Sequence, residues 1–134
     1  MAKHKNNGCD HCHSKIGELH PLMGQYALSI IHMFPQCHIS CAFRDKLSQN
    51  AAYRDGKSKL QYPNSKHNKT DTRGEMCSEA IDLFRLGDDG KAYFDVETYK
   101  NIWTYCMHEG MLITWGGTWK TFKDHPHFEL KSLK

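Results

Sequence analysis

The chain has no apolar run near the roughly 20 residues needed to cross a bilayer, and its first ten residues, Met1 to Asp10, are polar where an apolar secretion signal would stand. These two absences lead to the expectation of a protein made and kept in the cytoplasm, with no stable membrane association. Charge of one sign is also scarce. The 18 Lys and Arg residues face 15 Asp and Glu, a net of +3, and the lysines are scattered, too few and too balanced for the basic stripe of a nucleic-acid surface. No internal repeat and no linker divides the chain. A length of 134 residues suits one domain with one sustainable core, so 1–134 is expected to fold as a single, monomeric unit in which 1–20 is a polar, Cys/His-rich N-terminal segment.

What is present in excess is histidine, ten in all, beside six cysteines. Otherwise the composition, 39% hydrophobic and 25% charged, is that of an ordinary globular protein. A cytoplasmic chain of this size needs no disulfide staples, so reduced thiols or metal ligation are expected of the cysteines.

Apolar spacing gives the skeleton. Leu22, Tyr26, Ala27, Ile30, Ile31 and Phe34 recur at helical intervals between Pro21 and Pro35. His38–Phe43 reads as a strand and Lys46–Arg54 as a helix ending near Gly56. Residues 62–79 are loop-like, after which Ala80 to Phe84 alternates as a half-buried strand does, with a turn at Gly87–Gly90 and a hairpin return through Tyr93. Asp95 can cap a helix carrying Val96, Tyr99, Ile102, Trp103 and Cys106, with Gly110 as its exit. Met111–Trp115 is expected as a strand, and 116–128 has no readable period. Helices and strands interspersed through short connections favour an α+β fold.

Two clusters stand where functional groups are usually presented, at loop and strand edges: Ser65-Lys66-His67 with Asp82 downstream, and Asp124-His125-Pro126-His127-Phe128-Glu129. A hydrolytic zinc takes about three protein ligands and keeps one open position. Asp82 sits inside an apolar alternating strand, where an unpaired carboxylate is costly and a metal would compensate it. Of His125 and His127, either could serve as a ligand.

Seven pieces in order, Ser40-Cys41-Ala42-Phe43-Arg44, Gln49, Gly56-Lys57-Ser58, Ser65-Lys66-His67, Ser78 to Asp82, Trp115-Gly116-Gly117-Thr118-Trp119 and Asp124-His125-Pro126-His127-Phe128, carry a resemblance. The chain is similar to the zinc peptidoglycan peptidases that include D-alanyl-D-alanine carboxypeptidases and the L-alanyl-D-glutamate endolysins of phages. That resemblance implies a small antiparallel sheet flanked by helices, of the hedgehog/D,D-peptidase type. It implies a Zn2+ cofactor held by His67, Asp82 and His127, Asp124 as catalytic carboxylate, and Arg44 facing the substrate, with Ser65 and Trp115 as further substrate contacts. The partner implied is a peptidoglycan stem peptide, cut at the L-alanyl-D-glutamate bond. The setting implied is a phage endolysin that waits in the host cytoplasm for a holin to release it onto the cell wall.

Two departures from the pattern stand out. His67 and Asp82 lie 15 positions apart, wider than relatives usually show, so 68–77 reads as an inserted surface loop whose Asp71 and Glu75 stay open as rivals to Asp82, the favoured ligand. Thr118 stands where relatives often carry an acid. Cys9, His11, Cys12 and His13 form a second candidate metal site, which needs help from Cys37, His38 or Cys41 to close. The rival functions are a D-alanyl-D-alanine carboxypeptidase using the same groups, and a non-catalytic zinc-stabilised binding module.

Overall fold

A computed structural model describes residues 10–132. Pro21 starts helix α2 (Pro21–Met33), which follows a short helix α1 (Asp10–Ile16). The α2 stripe buries Met23, Ala27, Ile30 and Ile31, and the helix ends just before Pro35, as a residue that bars helical continuation dictates. Its first turn is capped by an imidazole: His20 Nδ1 accepts the Leu22 N–H at 3.0 Å. Strand β1 (Cys37–Cys41) leads to α3 (Lys46–Arg54), whose N-terminal Asp45 accepts the Ser48 N–H at 2.9 Å.

After the long loop come β2 (Ala80–Leu86), the two-residue β3 (Ala92–Tyr93), α4 (Val96–His108), β4 (Ile113–Trp115) and β5 (His127–Leu130). All pairings are antiparallel, in the order β1-β2-β5-β4, with β3 on the far end of β2. The expected small antiparallel sheet flanked by helices is therefore the observed fold.

Alternation along β2 divides the molecule. Ile81 and Leu83 point into the core beside Phe128, Ile39, Tyr99 and Ile102, while Asp82 points to the opposite face. Register then places Asp82 directly across from His127, and period two adds Glu129 to the same face. One hydrophobic cluster takes in residues from Cys12 to Leu130.

Three expectations fall short. Residues 127–130 are a strand, unreadable in advance because half of its four side chains are polar and face away from the core. The N-terminal segment is not merely a polar tail, since Cys12 is buried in the core and Leu19 bridges to Ser78. Asp95 does precede α4, but its carboxylate is drawn to Arg85 Nε at 2.9 Å and to the Thr98 hydroxyl instead of to a helix N–H.

Candidate metal centre and substrate groove

His67 is set by the 3-10 turn Lys66–Asn68, which is closed by a reciprocal cap: Ser65 Oγ accepts the His67 N–H at 3.1 Å and Asn68 Oδ1 accepts the Ser65 N–H at 3.0 Å. Behind the ring, Nδ1 lies 2.7 Å from the Ala42 carbonyl, an acceptor only. Nδ1 therefore carries the hydrogen, and the Nε2 lone pair turns toward β2 and β5. His127 is oriented in the mirror sense. Its Nε2 lies 2.8 Å from Glu129 Oε1, so that nitrogen donates and Nδ1 presents the lone pair. Glu129 is itself held by Lys66 Nζ at 3.4 Å.

Three donor atoms converge as a result. His67 Nε2 and His127 Nδ1 are 3.3 Å apart, and Asp82 Oδ1 is 3.4 Å from the first and 3.2 Å from the second. Ligands of one tetrahedral zinc at bonds of about 2.0–2.1 Å stand roughly 3.3–3.4 Å from one another. The chain thus brings together the donor set, two imidazoles and a carboxylate, at the separation such an ion needs. The backing carbonyl and carboxylate are the partners that fix tautomer and ring orientation in metal centres.

The charges respond to each other. Burial works against a charged His67 ring, but the Asp82 carboxylate outweighs it, with help from Cys41, and raises the ring to about 10. Burial likewise opposes the Asp82 charge, and the two imidazoles overcome it, holding that carboxyl well below the usual carboxylate range. Asp124 moves the other way: burial and then the neighbouring Asp82 charge push it up, against the pull of His127, His67 and Arg44. Its carboxylate shares a cluster with Asp82 and His127 in which ligand atoms lie within 4.8 Å of one another, a separation one water can bridge. A carboxylate with a raised pKa one water from a metal suits proton transfer.

Backbone contact fixes Asp124 in place. Its N–H donates to the Gly116 carbonyl at 3.1 Å, and its carbonyl accepts the His127 N–H at 3.1 Å. A Cβ on Gly116 would come within 2.2 Å of the Asp124 carbonyl oxygen, so only glycine permits this approach.

Arg44 lines the same groove, but part of its guanidinium is engaged. Nη2 donates to Asp82 Oδ2 at 3.4 Å and Nη1 to Gln49 Oε1 at 3.0 Å, while Gln49 is in turn held by Ser58 and Leu60. The Gln49 and Gly56-Lys57-Ser58 pieces of the sequence are thus the support of Arg44. Cys41 reaches the site through a bulge in β1 that sets Cys41 opposite Asp82 where Ser40 would otherwise pair. Its thiol lies 3.7 Å from His67 Nδ1, the nitrogen already bound to Ala42, and so stands behind the ring rather than among the converging lone pairs.

Several expected contacts are placed elsewhere. Trp115 is a core residue, 5% exposed, stacked on Phe128, with its Nε1–H given to the His125 carbonyl. It does not line the groove. Trp119 lines the groove in its stead, 5.2 Å from the His127 ring, because the 3-10 turn at Gly116–Thr118 swings it out of the core. Ser65 is a groove-lining residue whose hydroxyl is used to cap the His67 turn. His125 lies against Trp115, outside the triad. Asp71 closes the turn of its own loop by accepting the Arg73 and Glu75 N–H groups, and Glu75 is exposed beside Arg73, so neither competes with Asp82. Of the N-terminal candidates, Cys9 lies outside the described residues, His11 bonds the Ile39 carbonyl, and Cys12 meets His38. The orienting role of Glu129 is not legible in the sequence; its only signal is the i, i+2 spacing from His127, which has meaning once the segment is a strand.

The groove above the triad has a volume of about 800 Å³. Lys57, Lys59 and Arg44 give it a cationic wall, and Phe94, Trp119 and Phe122 an aromatic one. Phe122 holds φ of 49°, a conformation uncommon for a residue with a side chain, and lies under Lys59 Nζ at 5.3 Å from its ring centre.

Two imidazoles and two carboxylates beside a groove offer the donor types that a hydrolytic metal centre uses. Family comparison agrees with a hydrolase. The model of the M15 peptidase family described as D-alanyl-D-alanine carboxypeptidase matches residues 62–130, which is 69 of the 134, and the chain belongs to that family. Among solved structures, the crystal structure of the Serratia marcescens L-Ala D-Glu endopeptidase ChiX has the same fold, with a TM-score of 0.66 at 22% identity over 91% of this chain and 87% of that one.

Proposed function

We propose that the protein is a zinc-dependent peptidase that hydrolyses the L-alanyl-D-glutamate bond of peptidoglycan stem peptides. The observation that carries this reading is the convergence of His67 Nε2, His127 Nδ1 and Asp82 Oδ1 within 3.4 Å, with Asp124 beside them in one groove. A binding module that uses zinc only for stability would close the site with a fourth protein ligand and would need no groove.

Zinc, when bound by this triad, supplies Lewis acidity toward the scissile carbonyl and lowers the pKa of water. Asp124 then acts as general base for the attacking water and returns the proton to the departing amine. Its raised pKa keeps the proton within reach for that return. Arg44 plays two parts. Through Nη2 it holds the second oxygen of Asp82, and as a groove-lining cation it attracts a substrate carboxylate or the developing oxyanion. Lys57 and Lys59 extend the positive wall along which an acidic stem peptide would lie.

Trimming of terminal D-alanine is the second reading, favoured by the description of the matching family. Digestion of purified peptidoglycan followed by mass spectrometry separates the two. A new amino terminus on D-glutamate means endopeptidase; released D-alanine means carboxypeptidase and overturns the proposed bond. The phage-lysis setting belongs to the same proposal and rests on the resemblance in sequence. Expression in a bacterial host is expected to lyse cells only when a holin is co-expressed.

A further inference from the structure

Two cations of the groove are left without a counter-charge. Arg44 is paired with Asp82 and Lys66 with Glu129, but Lys57 and Lys59, both exposed, have no ion-pair partner among the described residues. The acids that line the groove, Asp82, Asp124 and Glu129, are gathered at the metal end. Yet the segment that carries the two lysines is braced. The N–H groups of Lys57 and Ser58 donate to the Ala52 carbonyl at 2.8 and 3.1 Å, and the fully buried Gln49 donates through Nε2 to Ser58 Oγ at 2.9 Å and to the Leu60 carbonyl at 2.7 Å. The same Gln49 accepts from Arg44 Nη1 at 3.0 Å, which ties this segment to the cation beside the metal centre. Phe122, from the loop between β4 and β5, receives Lys59 Nζ over its ring at 5.3 Å, and Lys123 Nζ fastens that loop by donating to the Gly117 and Trp119 carbonyls at 3.3 and 2.8 Å.

We infer that Lys57 and Lys59 form a carboxylate subsite that selects stem peptides whose third residue is diaminopimelate over those that carry lysine there, an inference that rests on the L-alanyl-D-glutamate reading above. These two diamino acids differ by one group, since diaminopimelate is lysine with a carboxylate on its ε-carbon. On the amine side of the cut, a lysine stem therefore presents the α-carboxylate of D-glutamate and a bare ammonium, whereas a diaminopimelate stem presents a second carboxylate. Arg44, beside the metal, suits the carboxylate next to the cut. The two lysines, one tether farther along the groove wall, suit the second carboxylate and repel a bare ammonium. Phe122 serves the same end. An ammonium held over an aromatic face, with no acid beside it, keeps its charge for the ligand.

Muramyl pentapeptides with diaminopimelate, its ε-carboxamide or lysine in third place test the subsite on the full chain loaded with zinc. The kcat/KM for the diaminopimelate compound should exceed that for each of the other two about tenfold, the scale of two exposed ion pairs. That ratio should fall to about one when Lys57→Met is combined with Lys59→Met, and return when Lys57→Arg is combined with Lys59→Arg. Equal rates on diaminopimelate and its amide, or a preference that survives the double methionine variant, overturn the subsite. The products separate this from the reading it rests on. Released D-alanine in place of a new D-glutamate terminus overturns the proposed bond, while the ratio still judges the subsite. Binding of the three compounds to Asp124→Asn protein gives the ratio without turnover, so equal affinities there overturn the subsite even where neither bond is cut.

Discussion

His67 and His127 meet over the middle of the sheet, whereas Cys12 and His38 meet at its edge, and the two places impose different chemistry. In the middle, donors arrive from three distant segments and are fixed by cross-strand register, with a carbonyl and a carboxylate locking the rings from behind. The set is nitrogen and oxygen, and it opens on a groove. At the edge, the donors are sulfur and nitrogen, both nine-tenths or more buried, and neither lines that groove. An ion that must meet substrate needs an open position, which the middle offers and the edge does not. The two places share a face of the sheet, since His38 pairs with Phe84, two residues along β2 from Asp82.

The sharpest way to break this contrast is to remove the carboxylate that converges with the two imidazoles of the middle, a donor the edge pair lacks. Asp82→Ala should lose the groove metal and reduce hydrolysis by more than about 10⁴-fold, beyond the loss expected of any single proton-transfer group. Metal content and fragment release measured together check it, and full occupancy in that variant would sink the triad.

Asp124→Asn separates ligand from base. Size and shape persist but the basic electron pair is lost, so kcat should fall about 10²–10⁴-fold with metal content and substrate binding nearly unchanged. Disappearance of the metal would make Asp124 a ligand; unchanged turnover would move the base elsewhere. Smaller still is the effect of the group behind His127. Glu129→Gln keeps an oxygen toward Nε2 but removes the charge, and metal affinity should weaken about 10–100-fold, read as faster transfer of the ion to a chelator. An unchanged transfer rate would reduce Glu129 to an ordinary surface partner of Lys66.

How much of this can be read from residues alone depends on which face a side chain serves. The helices α2 and α4 and the strand β2 announce themselves because their apolar positions recur with one period, α2 with a stop at Pro35; α3, whose one buried residue is Gln49, is marked by its exit near Gly56. The strand β5 does not, since His127 and Glu129 are given over to the site. The bulge that delivers Cys41 and the turn that exchanges Trp119 for Trp115 are products of tertiary register, which no local spacing encodes. The triad itself is legible only through resemblance. Spacing leaves His67 and Asp82 as separated candidates and does not choose between His125 and His127; pairing of Asp82 with His127 does choose.

The mildest test uses pH and leaves the chain intact. Without metal, the His67 ring, raised to about 10, keeps a proton on both nitrogens through the neutral range, and the one on Nε2 faces Asp82 Oδ1 at 3.4 Å. A ligating imidazole must be neutral, so binding has to expel that proton. Apparent metal affinity should therefore rise about tenfold per pH unit for one displaced proton and level off as pH passes about 10. Calorimetry at about pH 7.5 in buffers of different ionisation enthalpy should register at least one proton released at the groove centre, since the His127 ring, despite its burial, is also raised by Asp82 and Glu129. Stability of the metal-free fold runs the opposite way with pH. The folded pKa of His67 lies above its ordinary value of 6.5, so its contribution to the metal-free fold is complete below 6.5 and is lost as pH rises through about 10. The metal-free protein should lose thermal stability over that interval, while the loaded protein, with no proton there to lose, holds steady. Equal pH dependence of the two forms, or binding without proton release, would mean that the triad is not where the ion sits.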